Sequence, residues 1–323
     1  MLSRLLVSAA LLAGSSTALA QAQVAPPGPA KAVDNTTQTE DVRFKNDGAQ
    51  RMTVPVRLSG RGPYRFLVDT GANRTAVSRE VAGALRLVAG ENASLHDAAG
   101  VSTVGTATLP TLQLTRKEIR NVDAALLDSA NMGADGILGT DSLRSQRVLF
   151  DFEAQTLSIV PSAVPDFNAE PGTIVVQGTR RNGRLVVTEA TANGRPLTVV
   201  VDTGAQYSIG NAALKRALLG TKSLGQGQHV ELQTVSGDKL PGEFMFVHEL
   251  TIGGVTLRDL LIVFADAHTF KLLGYDRRPA MLLGMNAMRA FKKVSIDFAS
   301  RRLRVVIPEQ SSLDLRIAAA RIR

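Results

Sequence analysis

Two long stretches of the chain, 51–161 and 184–308, alternate short apolar runs with Gly, Asn, Asp and Pro. "MTVPVRL" (52–58) and "LVVTEAT" (185–191) mix β-branched and polar residues with partial period-two alternation, which predicts strands. "ATLPTLQL" (107–114) and "FMFVHELTI" (244–252) read the same way, and Asn193-Gly194 is a tight-hairpin signal between two strands. "SLRS" (142–145) and "NAMRAFK" (286–292) each follow a Leu-Gly step and predict one short helix per half. The pattern predicts a mainly β fold of two small, largely antiparallel lobes with little helix.

The two stretches are copies. "RMTVPVRLSGRGPYRFLVDTGANRTAVS" (51–78) aligns without gaps on "RLVVTEATANGRPLTVVVDTGAQYSIGN" (184–211). "LQLTRKEIRNV" (112–122) then aligns on "LTIGGVTLRDL" (250–260), "GILGTDSLR" (136–144) on "MLLGMNAMR" (281–289), and "VLFDFEAQTLSIVP" (148–161) on "VSIDFASRRLRVVIP" (294–308). The order is identical, and the second copy carries insertions of the kind that fall in loops. "PSAVPDFNAEPG" (161–172), with its prolines, reads as the break between copies. The expected layout is a signal peptide at 1–22, a flexible leader at 23–45, a first lobe at 46–161, a linker at 162–172, a second lobe at 173–310 and a tail at 311–323.

Composition narrows the picture. A chain of 323 residues is long enough for two domains, and 44% hydrophobic with 20% charged residues is ordinary for a globular protein. The formal charge of +8 is scattered rather than clustered, so no nucleic-acid surface is expected. With no cysteine there is no disulfide, thiol nucleophile, thiolate metal site or lipid-modified N-terminal cysteine. His96, His229, His248 and His268 show no metal-ligand spacing, so no metal and no cofactor are expected. Serine-nucleophile elbows and phosphate loops are missing as motifs. "MLSRLLVSAALLAGSSTALAQAQ" has Arg4, a short apolar core and Ala18-Leu19-Ala20, the layout of a secretory signal. This predicts export to a periplasm or the exterior, with no stable membrane insertion after cleavage. "SLDLRIAAARIR" (312–323) reads as a short amphipathic helix.

The chemistry concentrates in Asp69-Thr70-Gly71-Ala72 and Asp202-Thr203-Gly204-Ala205, each following three apolar residues. An aspartate where a strand leaves the core is costly unless something uses it. One copy would read as an Asx-type turn. Two copies at equivalent places in aligned repeats suggest that the carboxylates share one site. A close pair cannot doubly ionise without cost, so it shares a proton and can act as general base and general acid together. Asp151 and Asp297 also recur with the repeat but read as strand-end or turn residues.

These motifs resemble the retropepsin-like branch of the aspartic proteases. An apolar triplet precedes Asp-Thr-Gly-Ala, and an apolar-apolar-Gly segment follows in each half: Ile137-Leu138-Gly139 with Asp69, and Leu282-Leu283-Gly284 with Asp202. The resemblance implies two homologous acid-protease β-barrel lobes with one short helix each, fused in one chain. It implies a catalytic pair of Asp69 and Asp202, Thr70 and Thr203 interlocking the loops, and Gly71, Ala72, Gly204 and Ala205 lining the substrate channel. It also implies flap hairpins with tips near Ala99-Gly100 and Ser236-Gly237. No tyrosine lies between Asp69 and Asn121, so the flap tyrosine of pepsins is missing. Ala72 and Ala205 stand where pepsins often have serine, and losing that hydroxyl predicts a less acidic working range. The implied activity is endoproteolysis of a peptide or protein substrate by a monomer with an internal pseudo-twofold site. The rival reading is a catalytically silent module of the same fold that binds peptides or a partner. A third is a zymogen whose leader occupies the cleft.

Overall fold

The structure, a computed structural model, describes residues 42–43, 45–46, 51–114, 117–143, 145–163, 170–219 and 227–308. The signal segment, nearly all of the leader, part of the linker and the C-terminal tail lie outside the described residues.

Strand Met52–Leu58 shows how the alternation becomes a barrel wall: Val54, Val56 and Leu58 are buried while Pro55 and Arg57 face outward. In the first lobe the sheet order is Lys45–Asn46, Met52–Leu58, Arg61–Val68, Gly136–Leu138, Ala76–Ser78, Lys117–Leu127, Thr106–Leu114 and Val88–Ala89. Met52–Leu58 also pairs with Thr106–Leu114, closing the sheet on itself. The second lobe repeats this order with Thr179–Arg181, Arg184–Ala192, Arg195–Val201, Ala280–Leu283, Ser208–Gly210, Val255–Phe264, Lys239–Ile252 and Gln228–Gln233. Its closure is the pairing of Arg184–Ala192 with Lys239–Ile252. The hairpin at Asn193-Gly194 turns through positive φ at both residues, 46° and 75°, as the dipeptide predicts.

A third sheet joins the lobes. Its order is Val42–Arg43, Thr156–Pro161, Gln146–Asp151, Lys293–Asp297, Arg302–Val306 and Thr173–Gln177, antiparallel throughout. Leu149 faces Ser295, its own counterpart in the repeat, so the local twofold axis passes through that pair. Phe150, Leu157, Ile296, Phe298 and Leu303 are buried in one apolar cluster that runs through both lobes. Asp151 accepts from Ala154 N (2.8 Å), and Asp297 accepts from Ala299 N (3.1 Å) and Ser300 N (2.9 Å); both close turns at strand ends.

Two details differ from the sequence reading. Val42–Arg43 is already a strand of the joining sheet, within the segment read as leader. Among the described residues each lobe also has three helices rather than one. Thr140–Leu143 and Met285–Met288 are those expected; Arg79–Leu85, Ser129–Met132, Ala212–Leu218 and His268–Leu273 are additional. Ser78 and Asn211 cap two of these, accepting from Val81 N (3.1 Å) and Leu214 N (2.8 Å). Seven-residue helices carry too few turns to show a helical period. No helix among the described residues is long and apolar enough to cross a membrane.

Candidate active site

Strand Arg61–Val68 runs parallel to Gly136–Leu138, and Asp69 N donates to Leu138 O at 3.0 Å. In the second lobe Arg195–Val201 runs parallel to Ala280–Leu283, and Asp202 N donates to Leu283 O at 3.1 Å. Each aspartate therefore sits where an apolar strand emerges, beside its own Leu-Gly segment. The glycines of those segments admit no side chain: a methyl on Gly139 would lie 2.5 Å from the Arg74 carbonyl carbon, and one on Gly284 2.5 Å from that of Tyr207.

The two loops are bolted together by their threonines. Thr70 N donates to Thr203 Oγ1 (3.0 Å), whose hydroxyl donates to Val68 O (2.6 Å). Reciprocally, Thr203 N donates to Thr70 Oγ1 (3.0 Å), whose hydroxyl donates to Val201 O (3.1 Å). Both threonines are fully buried, which makes the four bonds hard to replace with water. Beyond them each glycine lies against the other loop's carboxylate. A methyl on Gly71 would fall 2.4 Å from Asp202 Oδ1, and one on Gly204 2.3 Å from Asp69 Oδ2. The fold thus brings Asp69 and Asp202 face to face, with Ala72 and Ala205 on the same loops.

Comparison with protein families agrees with this geometry. Residues 54–145 match the family described as "gag-polyprotein putative aspartyl protease", and residues 188–287 match that described as "Aspartyl protease". The two matched segments together span more than half of the chain and each holds one of the facing loops. The chain belongs to the aspartyl protease family. It carries two retropepsin-like units in tandem. A comparison with curated proteins finds no match.

Electrostatics within this aspartyl-protease pair are uneven. Asp69 Oδ1 accepts from Gly71 N (2.7 Å) and Ala72 N (3.0 Å), whereas Asp202 Oδ1 accepts from Gly204 N (3.0 Å). Burial raises Asp69 above the usual carboxylate range, against the lowering pull of those amides, Arg184 and Arg51. Asp202 is pushed up to about 7, first by burial and then by the charge of Asp69; Arg184 and backbone amides pull the other way. The pair therefore keeps a proton to higher pH than an ordinary carboxyl would.

The turns read as flap tips meet one another. In the first lobe, hairpin Ala93–His96 and Val101–Val104 ends in a turn where Asp97 Oδ1 accepts from Ala99 N (2.9 Å) and Gly100 N (3.0 Å). In the second, Thr234 to Asp238 turns between Gln228–Gln233 and Lys239–Ile252, and Ser236 donates to Asp97 Oδ2. Each tip also docks on the opposite lobe. Ala98 packs against the second lobe's apolar cluster and its carbonyl accepts from His268 N (2.7 Å); Val235 packs against the first lobe's cluster, as does Ala72. Gly237 lies against Asn131, which accepts from Gln233 Nε2 at 3.2 Å. Burial pulls the Asp97 carboxyl up, but bonds from Ser236, Thr234, Gly100 and Ala99 outweigh it and hold it below its ordinary value.

Several contacts around the site escaped the sequence reading. His96 Nδ1 and His268 Nε2 stand 3.1 Å apart with stacked rings, although 172 residues separate them. Thr75 and Asp141 brace the first loop: Asp141 accepts from Thr75 N (2.9 Å) and Thr75 Oγ1 (2.8 Å). Ser208 and Asn286 do the same in the second loop, with Asn286 Oδ1 accepting from Ser208 N (2.8 Å) and Ser208 Oγ (3.0 Å). Arg51 and Arg184, the first residues of the two aligned segments, both act electrostatically on Asp69. The repeat alignment contained every one of these site pairs except the histidines. What it lacked was a reason to single them out. No group of three or more potential ligands suited to a metal ion occurs among the described residues.

Proposed function

We propose that the protein is an aspartic endopeptidase that hydrolyses peptide bonds with a water activated between Asp69 and Asp202. The observation that carries this reading is the facing of the two carboxylates across the threonine-locked loops, where burial and their mutual charge favour a shared proton. The ionised carboxylate takes a proton from the water, whose oxygen attacks the peptide carbonyl carbon. The protonated carboxyl gives its proton to the carbonyl oxygen, forming a tetrahedral diol. A diol hydroxyl then returns its proton to the ionised carboxylate while the nitrogen takes a proton from the other, the carbon–nitrogen bond breaks, and acid and amine products leave with the pair holding one proton again. No covalent enzyme intermediate is formed.

The substrate is an extended peptide held by main-chain hydrogen bonds along strand-like edges, with Gly71, Ala72, Gly204 and Ala205 lining its path and the tips around Ala99-Gly100 and Ser236-Gly237 parting to admit it. The protein acts as a monomer, because one chain supplies both halves of the site. The layout of its first 22 residues supports export. The test is cleavage of a broad peptide library by the wild type, Asp69→Asn and Asp202→Asn. Cleavage by the wild type alone supports the reading. Equal cleavage by all three, or by none, rejects it, and the second outcome favours a silent peptide-binding module.

A further inference from the structure

The two arginines that open the repeats have different fates. Arg51 Nη2 donates to the Met132 carbonyl at 2.6 Å within its own lobe. Arg184 is only 4% exposed, yet its Nε and Nη1 meet no hydrogen-bond partner among the described residues. A buried guanidinium with idle donors is costly to maintain, and a native structure tolerates it where something else completes it. Its position says where that completion comes from. Arg184 follows the Asn182-Gly183 turn, whose residues have φ of 46° and 82°. A methyl on Gly183 would lie 2.9 Å from Thr140 Oγ1 and 3.1 Å from Asn73 Oδ1, so this turn of the second lobe rests on the first lobe beside the Asp69 loop. The charge of Arg184 acts on both Asp202 and Asp69, but neither carboxylate hydrogen-bonds to it.

Charge balance points the same way. With one shared proton the aspartate pair carries a single negative charge, while Arg51 and Arg184 both bear on Asp69. Guanidinium stays charged even when burial pulls its proton affinity down. A carboxylate accepting from either idle donor would form a charge-assisted hydrogen bond and offset the remaining positive charge.

Building on the endopeptidase reading, we propose that Arg184 is a specificity-determining residue that forms a carboxylate-binding subsite beside the aspartate pair. The preferred substrate then carries glutamate or aspartate next to the bond that is cut. Arg51, already bonded to a carbonyl, offers no equivalent subsite, so the preference lies on one side of the cut bond only.

The experiment starts from any peptide that the wild-type protein cuts. Matched versions carry Glu or Gln at each position flanking the cut bond, and kcat/KM is compared at about pH 6, where glutamate is ionised. The wild type should favour Glu at one position by about tenfold or more, from the strength of a charge-assisted hydrogen bond. In Arg184→Gln that ratio should collapse toward one, whatever the absolute rate. If this variant does not accumulate in folded form, Arg184→Lys, which keeps a charge but lacks the directed guanidinium donors, should lower the ratio at least about threefold. A wild-type ratio near one at every position overturns the proposal, as does a Glu preference that survives both variants. A ratio of one in the wild type combined with a shifted pH profile in Arg184→Gln would also overturn it, assigning Arg184 to tuning the aspartates instead. If the wild type cuts no peptide at all, the endopeptidase reading itself fails, which is a different outcome from cutting Glu and Gln peptides alike.

Discussion

The two lobes hold nearly identical loops in unlike surroundings. Asp-Thr-Gly-Ala, the threonine cross-bonds and the supporting Leu-Gly segment recur in both. Around them the lobes diverge: Asp141 braces the first loop where Asn286 braces the second, Arg51 is bonded where Arg184 is idle, and one tip is a detached hairpin where the other continues the barrel. In a dimer of identical chains any change appears twice. Fusing both copies into one chain lets the shared centre stay symmetric while each flank changes alone.

The sharpest way to break this comparison is at the aspartates. Asp69→Asn and Asp202→Asn should each lower kcat/KM by roughly 10²–10⁴-fold. A variant that keeps full activity would show that the two halves do not share the reaction.

Thr70→Val and Thr203→Val come next. Each leaves the partner loop's buried N–H and one carbonyl unsatisfied, and should cost about 2–5 kcal/mol of stability in denaturant unfolding. The two costs should agree, because the bonds are reciprocal. Gly71→Ala and Gly204→Ala should each cost about 1–3 kcal/mol from the clash with the opposing carboxylate.

Titration tests the unevenness of the pair. A carboxyl whose proton affinity is raised on folding stabilises the protein fully below its unfolded value, and that contribution is lost as pH rises through its folded value. For Asp202 the window runs from 3.8 to about 7. Wild-type stability should therefore fall with rising pH across that window more steeply than that of Asp202→Asn. Peptide cleavage should decline above about pH 7 as the pair loses its shared proton. An optimum near pH 2–3 would contradict this assignment.

The smallest effects should come from the flanks. Asn286→Asp puts a carboxylate oxygen opposite Leu261 O, where the amide now donates at 2.7 Å, and should cost about 1–3 kcal/mol. Ser236→Ala breaks the bond between the tips and should change KM a fewfold while leaving thermal stability within about 1 kcal/mol.

Much of this was legible in the residues. The repeat, the strand-rich lobes and the paired Asp-Thr-Gly loops follow from local patterns, because a motif that recurs with its apolar triplet and its Leu-Gly partner has few folds open to it. The short helices were not legible: seven residues give too little period, and capping by Ser78 and Asn211 becomes a signal only once the strand before it is known to end there. Arg51 and Arg184 illustrate the deeper limit. They are equivalent in sequence, and nothing in the alignment says that one finds a carbonyl and the other does not.

What the amino-acid order determined by itself is the duplicated β architecture and the identity of the facing loops, since both rest on patterns within a few residues of each other. Tertiary structure alone decided which groups meet across the lobes: Gly71 against Asp202, Ser236 against Asp97, His96 against His268. Those contacts join residues more than a hundred positions apart, and only packing the two barrels about the joining sheet sets the distances on which proton sharing and hydrogen bonding depend.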